Sequence, residues 1–370
     1  MAIHRRVGII GGGPGGLMLA RLLQSGGAEV TVFERDAHAD ERPQGGSLDL
    51  HAETGQRAMR LAGLEAAFVA AARPEDQGDR LYDAAGTLLF DRDGGDDDRP
   101  EIDRSELRRI LLGSLAPGTV RWGAKVERVE PIAGGARLIV DGAGHAFGLV
   151  VGADGAWSRA RRVLTDVRPT YQGVTLVELG FDVVRHPHVD ALVGGGKMFA
   201  VGDNRVIIAQ RNAHGHIRGY AGYRMDEDDA HAWAALPHDA LRGKTLDAFA
   251  GWAPELARLI VEGELLAVRP LYALPIGHRW TPLPGVTLIG DAAHLMSPFS
   301  GEGVNLALAD AADLAAALTS ADPSAVAAFE AQVAARAQEA AEGAAAGLES
   351  AFSHAGPASV LAHYQERASA

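Results

Sequence analysis

Apolar and polar positions follow two rhythms along the chain. RVGII (residues 6–10) is a short apolar run, the pattern of a strand covered on both faces. GGGPGG follows, and LMLARLLQSGG then places apolar residues at helical spacing until Gly26 and Gly27 stop it. EVTVFER (29–35) returns to alternation with β-branched residues. Strand, helix and strand within about 30 residues predict a βαβ unit of a parallel sheet.

Further along, EIDRSELRRILLGSLAPG (101–118) predicts a helix capped by Ser105 and ended by Pro117–Gly118. Residues 136–155 read as a hairpin, then a buried strand closing on a glycine turn. From about 170 to 268 alternating runs such as TLVELGFDVV and RVIIAQRN dominate, with a helix or two around AHAWAALPHDALRGKTLDAFAGW. GVTLIGDAAH (285–294) returns to a buried strand ending in a glycine–acid turn. An Ala-rich helical stretch follows to the C-terminus, with breaks at Pro323 and Pro357. The predicted fold class is therefore α/β. A Rossmann-like domain with a parallel sheet takes residues 1–169 and 269–318, a mostly antiparallel β-layer is inserted at 170–268, and 319–370 form a long C-terminal helix bridging both.

Composition narrows the function. A net charge of −13 over 370 residues argues against nucleic acid and anionic membranes, which need clustered Lys and Arg. The absence of cysteine removes disulfides, thiolate metal sites and a cysteine nucleophile. The N-terminus lacks a secretory pattern and no stretch of about 18 apolar residues occurs, so a cytoplasmic, monomeric protein is expected. HPH (186–188) and HGH (214–216) lack i,i+4 spacing, so no metal is expected, and no Gly-x-Ser-x-Gly elbow marks a hydrolase. DRDGGDDDRP (91–100) reads as a solvated loop without Ca²⁺-ligand spacing.

Gly11-x-Gly13-x-x-Gly16 sits where a dinucleotide fingerprint needs it, after a strand and opening a helix. Gly11 permits the tight turn, Gly13 lets backbone N–H groups approach a pyrophosphate, and Gly16 permits close packing. The helix dipole then faces the phosphates. Glu34 ends the second strand 18 residues past Gly16, where a carboxylate can accept from both ribose hydroxyls and disfavours a 2′-phosphate. With Pro14, Gly15 and Arg35 these residues form the predicted nucleotide site.

Two later stretches carry a resemblance. GADGAWSRAR (152–161) contains Asp154-Gly155-x-x-Ser158-x-x-Arg161, and LIGDAAHLMSPFSGEGVNLALADA (288–311) contains Gly290-Asp291 and a glycine turn into a helix near Val304. In this order the three motifs resemble the class A flavin monooxygenases, the para-hydroxybenzoate hydroxylase-like group. GGSLDLH (45–51) is similar to a segment of the tetracycline-inactivating members. The resemblance spans residues 5–315 and is weakest from 170 to 268, where substrate is chosen.

The resemblance implies bound FAD, with NADPH (or NADH) binding transiently because no second glycine fingerprint exists. It implies that Asp291 accepts from the ribityl hydroxyls, that Pro298, Gly301, Gly303, Val304 and Asn305 form the turn facing the flavin pyrimidine, and that Arg104 contacts the flavin's phosphate or ribityl region. Asp49 is implied to contact FAD; its other reading is a turn acid paired with an arginine. Asp154 and Gly155 are implied in FAD and NADPH binding, or form a βα turn with a helix-starting acid. Arg42 holds the place of an arginine implicated in nicotinamide-nucleotide and flavin contact, or is an exposed loop residue. The neighbouring Arg108 and Arg109 read as surface or salt-bridge residues, and His51 as structural. Family members usually carry Gln between the last two glycines; here it is Glu302, a carboxylate unhelpful to an anionic reduced flavin unless it points away or caps the helix.

The implied activity is NAD(P)H-consuming hydroxylation of an aromatic or polycyclic enol or phenol, including tetracycline-like antibiotics or polyketides, by O2 through a flavin C4a-hydroperoxide. No side chain is expected as a nucleophile. Gln210 and Arg211 are candidate substrate contacts, or exposed residues after an edge strand. The competing readings are an oxygen-independent flavin reductase on the same fold and a non-catalytic protein that sequesters polycyclic ligands.

Overall fold

The structure is a computed structural model that describes residues 6–41, 45–94 and 98–369. The chain divides into two compact units: residues 1–71, 104–170 and 272–344, and residues 72–103, 171–271 and 345–370. Residues 72–103 thus cluster with the second unit, a division that no change in local pattern announces.

In the first unit a five-stranded parallel sheet runs in the order Val286–Leu288, Leu149–Gly152, Val7–Ile10, Val30–Phe33, Val120–Arg121. Val7–Ile10 and Leu149–Gly152 are buried throughout, as expected of central parallel strands. The helix Pro14–Ser25 packs on the helix Gly303–Thr319. A Cβ on Gly15 would stand 3.1 Å from the Ala307 carbonyl oxygen, so the glycine allows this approach. A separate antiparallel sheet joins Val126–Ile132, Gly135–Val140 and Ala143–Phe147.

The helix expected over 101–118 is shorter, Arg104–Gly113. Residues Glu101–Asp103 are extended, which places Ser105 within the first turn rather than at the cap. Ser114 Oγ donates to the Leu111 carbonyl at 2.6 Å, and Ala116 N donates to Gln24, so the helix ends before Pro117.

The second unit holds a seven-stranded sheet in the order Glu264–Ala273, Thr170–Asp182, His216–Arg224, Arg205–Asn212, Gly196–Gly202, Gly78–Asp83, Leu88–Arg92. Its printed pairings are antiparallel except Gly196–Gly202 with Gly78–Asp83, where Gly196 faces Gly78. The helices His238–Ala248 and Pro254–Glu262 bury Leu241, Leu256, Leu259 and Ile260 against Val177, Leu179, Met198, Ile207, Ala209 and Ile217. Each large apolar side chain so buried contributes roughly 1.5–3 kcal/mol. The last three helices, Gly303–Thr319, Ala325–Ala351 and Ala358–Ser369, break at Pro323 and Pro357 as expected. Among the described residues no helix is long and apolar enough to cross a membrane.

Candidate active site

The first unit brings the sequence-predicted glycine turn to the C-terminal end of its parallel sheet. Gly11 has φ +106, and a Cβ there would strike the Ala153 carbonyl. The helix Pro14–Ser25 begins without any side-chain cap, and its first-turn N–H groups have no intrahelical acceptor. A Cβ on Gly13 would meet nothing within 4 Å, so the space above this helix end is open. Gly16, by contrast, is pressed against the Gly11 carbonyl and Ala153.

Glu34 is buried beside the turn. Gly12 N donates to its Oε2 at 2.6 Å and Asp36 N to its Oε1 at 3.0 Å. Arg35 is exposed. Arg108 is 3 % exposed, not a surface residue as its sequence context suggests. Its guanidinium donates to the Gly12 carbonyl at 3.2 Å and the Ala39 carbonyl at 2.5 Å, and lies 3.6 Å from Asp36. It therefore fixes the glycine turn from below. The signal was available in the spacing: Arg108 stands four residues after Arg104 on the same helix, hence on a shared face. Arg109 pairs on the surface with Glu106. Arg104 begins that helix, its backbone N donating to Gly46 O at 3.2 Å; Arg42 lies outside the described residues.

The GGSLDLH segment meets the PFSGEGVN turn. Gly301 adopts the left-handed conformation after the 3-10 turn Pro298–Ser300, and Gly303 opens the helix Gly303–Thr319 followed by Val304. Asn305 is fully buried and holds both pieces: its Nδ2 donates to the Asp49 carbonyl at 2.9 Å, and its Oδ1 accepts from His51 N at 2.9 Å. Asp49 Oδ2 lies 3.2 Å from His51 Nε2, and Glu302 Oε1 lies 3.5 Å from His51 Nδ1. Glu302 makes no side-chain cap to the helix. Asp49 thus has a histidine neighbour, a partner its local sequence does not single out.

Asp291 is exposed at the start of the helix Asp291–His294, and its carboxylate makes no hydrogen bond among the described residues. Asp154 turns inward instead: Ser158 Oγ and Arg159 N donate to it at 2.6 Å each. Burial pushes its carboxyl above the usual range, and those bonds oppose the rise. Gly155 has φ +75. Arg161, 3 % exposed, donates to the Ala292 carbonyl at 3.0 Å and the Ala156 carbonyl at 2.5 Å, tying the Asp154 turn to the Asp291 helix. Trp157, 56 % exposed, stands edge-on to Tyr272 over a shallow pocket lined by Arg161, Arg162 and Arg168.

In the second unit Gln210 and Arg211 point to opposite faces of their strand, as adjacent residues must. Arg211 shares the face of the core residues Ile207 and Ala209 and pairs with Asp190 at 2.6 Å. Gln210 donates to Glu101 at 2.9 Å on the other face. It lies in a lateral row, paired with Lys197 on one side and Arg218 on the other, with Lys197 next to Asp79. Beneath the cations lie carboxylates almost fully buried: Asp79 accepts from Arg92 at 2.9 Å, and Glu178 from Arg218 at 2.7 Å and Arg269 at 2.8 Å.

The sequence matches the FAD binding domain family over residues 4–202 and 283–344. It is 33% identical over 368 residues to monooxygenase asqM of Emericella nidulans, covering 84% of this chain and 83% of that protein. The chain belongs to the class A FAD-dependent aromatic monooxygenases. A second relative in this family, 3-amino-4-hydroxybenzoate 2-monooxygenase PtmB3 of Streptomyces platensis, is 33% identical over 333 residues, covering 86% of this chain and 80% of that one. The fold is shared with the solved structure of tetracycline destructase Tet(55), with TM-score 0.73 and 22% identity over 96% of this chain and 92% of that one.

The residues of this flavin monooxygenase fit FAD. The open cradle at Gly13, which any Cβ would enter, lies over an uncapped helix end suited to a pyrophosphate. Glu34 keeps acceptor capacity beyond its two backbone bonds, and Asp291 presents a carboxylate without a protein donor.

Proposed function

We propose that this FAD-dependent monooxygenase consumes a reduced nicotinamide nucleotide, NADPH or NADH, and hydroxylates an oxygen-rich aromatic or polycyclic phenol or enol. One oxygen atom of O2 enters a substrate C–H bond and the other leaves as water, the nucleotide supplying two electrons. FAD, when bound, supplies the electron acceptance and O2 activation that side chains lack. The chain's own groups bind and orient. Glu34 accepts from the ribose, the first turn of Pro14–Ser25 faces the pyrophosphate, Asp291 accepts from the ribityl chain, and Arg104 takes a phosphate or ribityl oxygen. The turn Pro298–Gly303, with Val304 and Asn305, offers backbone N–H groups to the pyrimidine end.

The observation that carries the substrate side is the row Lys197–Gln210–Arg218. Donor groups on three neighbouring strands, seated on buried Asp79 and Glu178, span about 10 Å at the usual strand spacing and suit a ligand rich in acceptor oxygens. An aminohydroxybenzoate, as the Streptomyces relative's name specifies, or a tetracycline-like enol carries such oxygens. Nicotinamide-nucleotide use is supported by the basic pocket beside Trp157, since Glu34 disfavours a 2′-phosphate at the glycine turn.

The test is O2 uptake and NAD(P)H consumption with hydroxybenzoates, other phenols and tetracyclines. Substrate-stimulated uptake of both, with a hydroxylated product, is expected. NAD(P)H turnover that persists without O2 would instead indicate a reductase, and tight ligand binding without turnover a sequestering protein.

A further inference from the structure

Resting on the reading of Pro298–Asn305 as the turn that faces the flavin, we propose that His51 is a positioning residue and the counter-charge of Glu302, the feature that lets this chain carry an acid where glutamine is usual. Three observations converge on it. Both ring nitrogens of His51 face carboxylates, Nε2 to Asp49 at 3.2 Å and Nδ1 to Glu302 at 3.5 Å. A neutral imidazole has one N–H and can donate to one of them; the protonated ring donates to both. The ring has little freedom to leave: its side chain is 12% exposed, and Asn305 pins the backbone on both sides of Leu50 through the Asp49 carbonyl and His51 N. Glu302 is not spent as a helix cap, and its side chain remains 29% exposed.

The consequence is electrostatic. Without the imidazolium, Asp49 and Glu302 would bring two uncompensated negative charges to the end of a helix whose dipole otherwise favours an anion. With it, the set carries one. His51 also draws the Glu302 carboxylate towards residues 49–51, so the backbone N–H groups of the turn stay available. Glu302 then acts as a tether between the GGSLDLH segment and the turn, a role that glutamine could fill only by a neutral hydrogen bond.

The experiment is a double-mutant cycle of His51→Gln and Glu302→Gln. Apo-protein is titrated with FAD, the two-electron midpoint potential of each holoprotein is measured, and thermal unfolding of each apo-protein is the control. His51→Gln alone should weaken FAD binding about tenfold and lower the flavin potential, because the oxidised, less negative form is favoured. Glu302→Gln in that background should restore both to within about twofold of wild type. Glu302→Gln alone should bind FAD as tightly as wild type or up to about twofold tighter. Additive losses, an unchanged His51→Gln variant, or a Glu302→Gln single variant that loses FAD would each overturn the counter-charge role. If His51→Gln does not fold, the Glu302→Gln single variant still decides: a raised potential supports the proposal and a lowered one rejects it. A wild-type apo-protein that takes up no FAD would instead remove the reading of the turn on which the proposal stands.

Discussion

Asn305 accepts a hydrogen bond from the backbone N–H of His51 at 2.9 Å across 254 positions of sequence. The same side chain donates to the Asp49 carbonyl at 2.9 Å and reaches the Gly301 carbonyl at 3.3 Å. One buried amide thus welds the strand Ser47–Asp49 to the turn that opens Gly303–Thr319. Replacing it with leucine leaves buried backbone groups without partners. Asn305→Leu should cost about 2–4 kcal/mol, at roughly 1–3 kcal/mol per orphaned group, and lower FAD affinity. Urea unfolding with FAD titration checks this; an unchanged midpoint would show that the clamp is dispensable.

Two glycines of the first turn should part company. At Gly13 a side chain enters open space, so Gly13→Val should leave apo-protein stability within about 1 kcal/mol while cutting FAD affinity at least about tenfold. At Gly16 the Cβ meets the Gly11 carbonyl and stands 3.2 Å from Ala153 Cβ, so Gly16→Val should destabilise the fold itself by about 1–3 kcal/mol or more. Melting curves of the two apo-proteins decide, and equal stability would contradict the packing described.

Arg108 supports the turn from within. Arg108→Met removes the donors to Gly12 and Ala39 and leaves Asp36 without its cation, a loss of about 3 kcal/mol for a pair this buried. Arg109→Met, which breaks only a surface pair with Glu106, should cost less than about 1 kcal/mol. Comparable losses in denaturant titrations would mean that burial of Arg108 contributes nothing.

Stability should also report the buried pair His294–Asp310, 2.6 Å apart. Burial alone would lower the His294 pKa, but the charge and hydrogen bond of Asp310 override it and the net displacement is upward. Burial likewise favours protonated Asp310, yet His294 and Arg336 carry it below the usual carboxylate range. A raised histidine contributes stability in full below its unfolded pKa of about 6.5 and loses it as pH rises through the folded value. A depressed aspartate contributes above about 3.9 and loses it as pH falls through its folded value. The difference in melting temperature between wild type and His294→Gln should therefore be largest in the mildly acidic window where both are charged, and shrink on either side. A difference constant from pH 4 to 10 would remove the pair from the account.

What could be read from the chain alone was whatever is local. Val7–Ile10, the glycine turn, Pro14–Ser25 and the acid at Glu34 follow one another within about 30 residues, and hydrophobic period, turn chemistry and spacing specify them without reference to anything distant. The order of the later motifs gave the family, and the breaks at Pro323 and Pro357 were fixed by proline's missing N–H. Tertiary structure alone decided the rest. That Asp49 meets a histidine whose other nitrogen faces Glu302, that Arg108 supports Gly12, and that Gln210 joins Lys197 and Arg218 while Arg211 turns to Asp190 all depend on pairings between segments far apart in sequence. Such pairings are set by how apolar faces pack, and a charged residue carries no local mark of the partner that packing will bring to it.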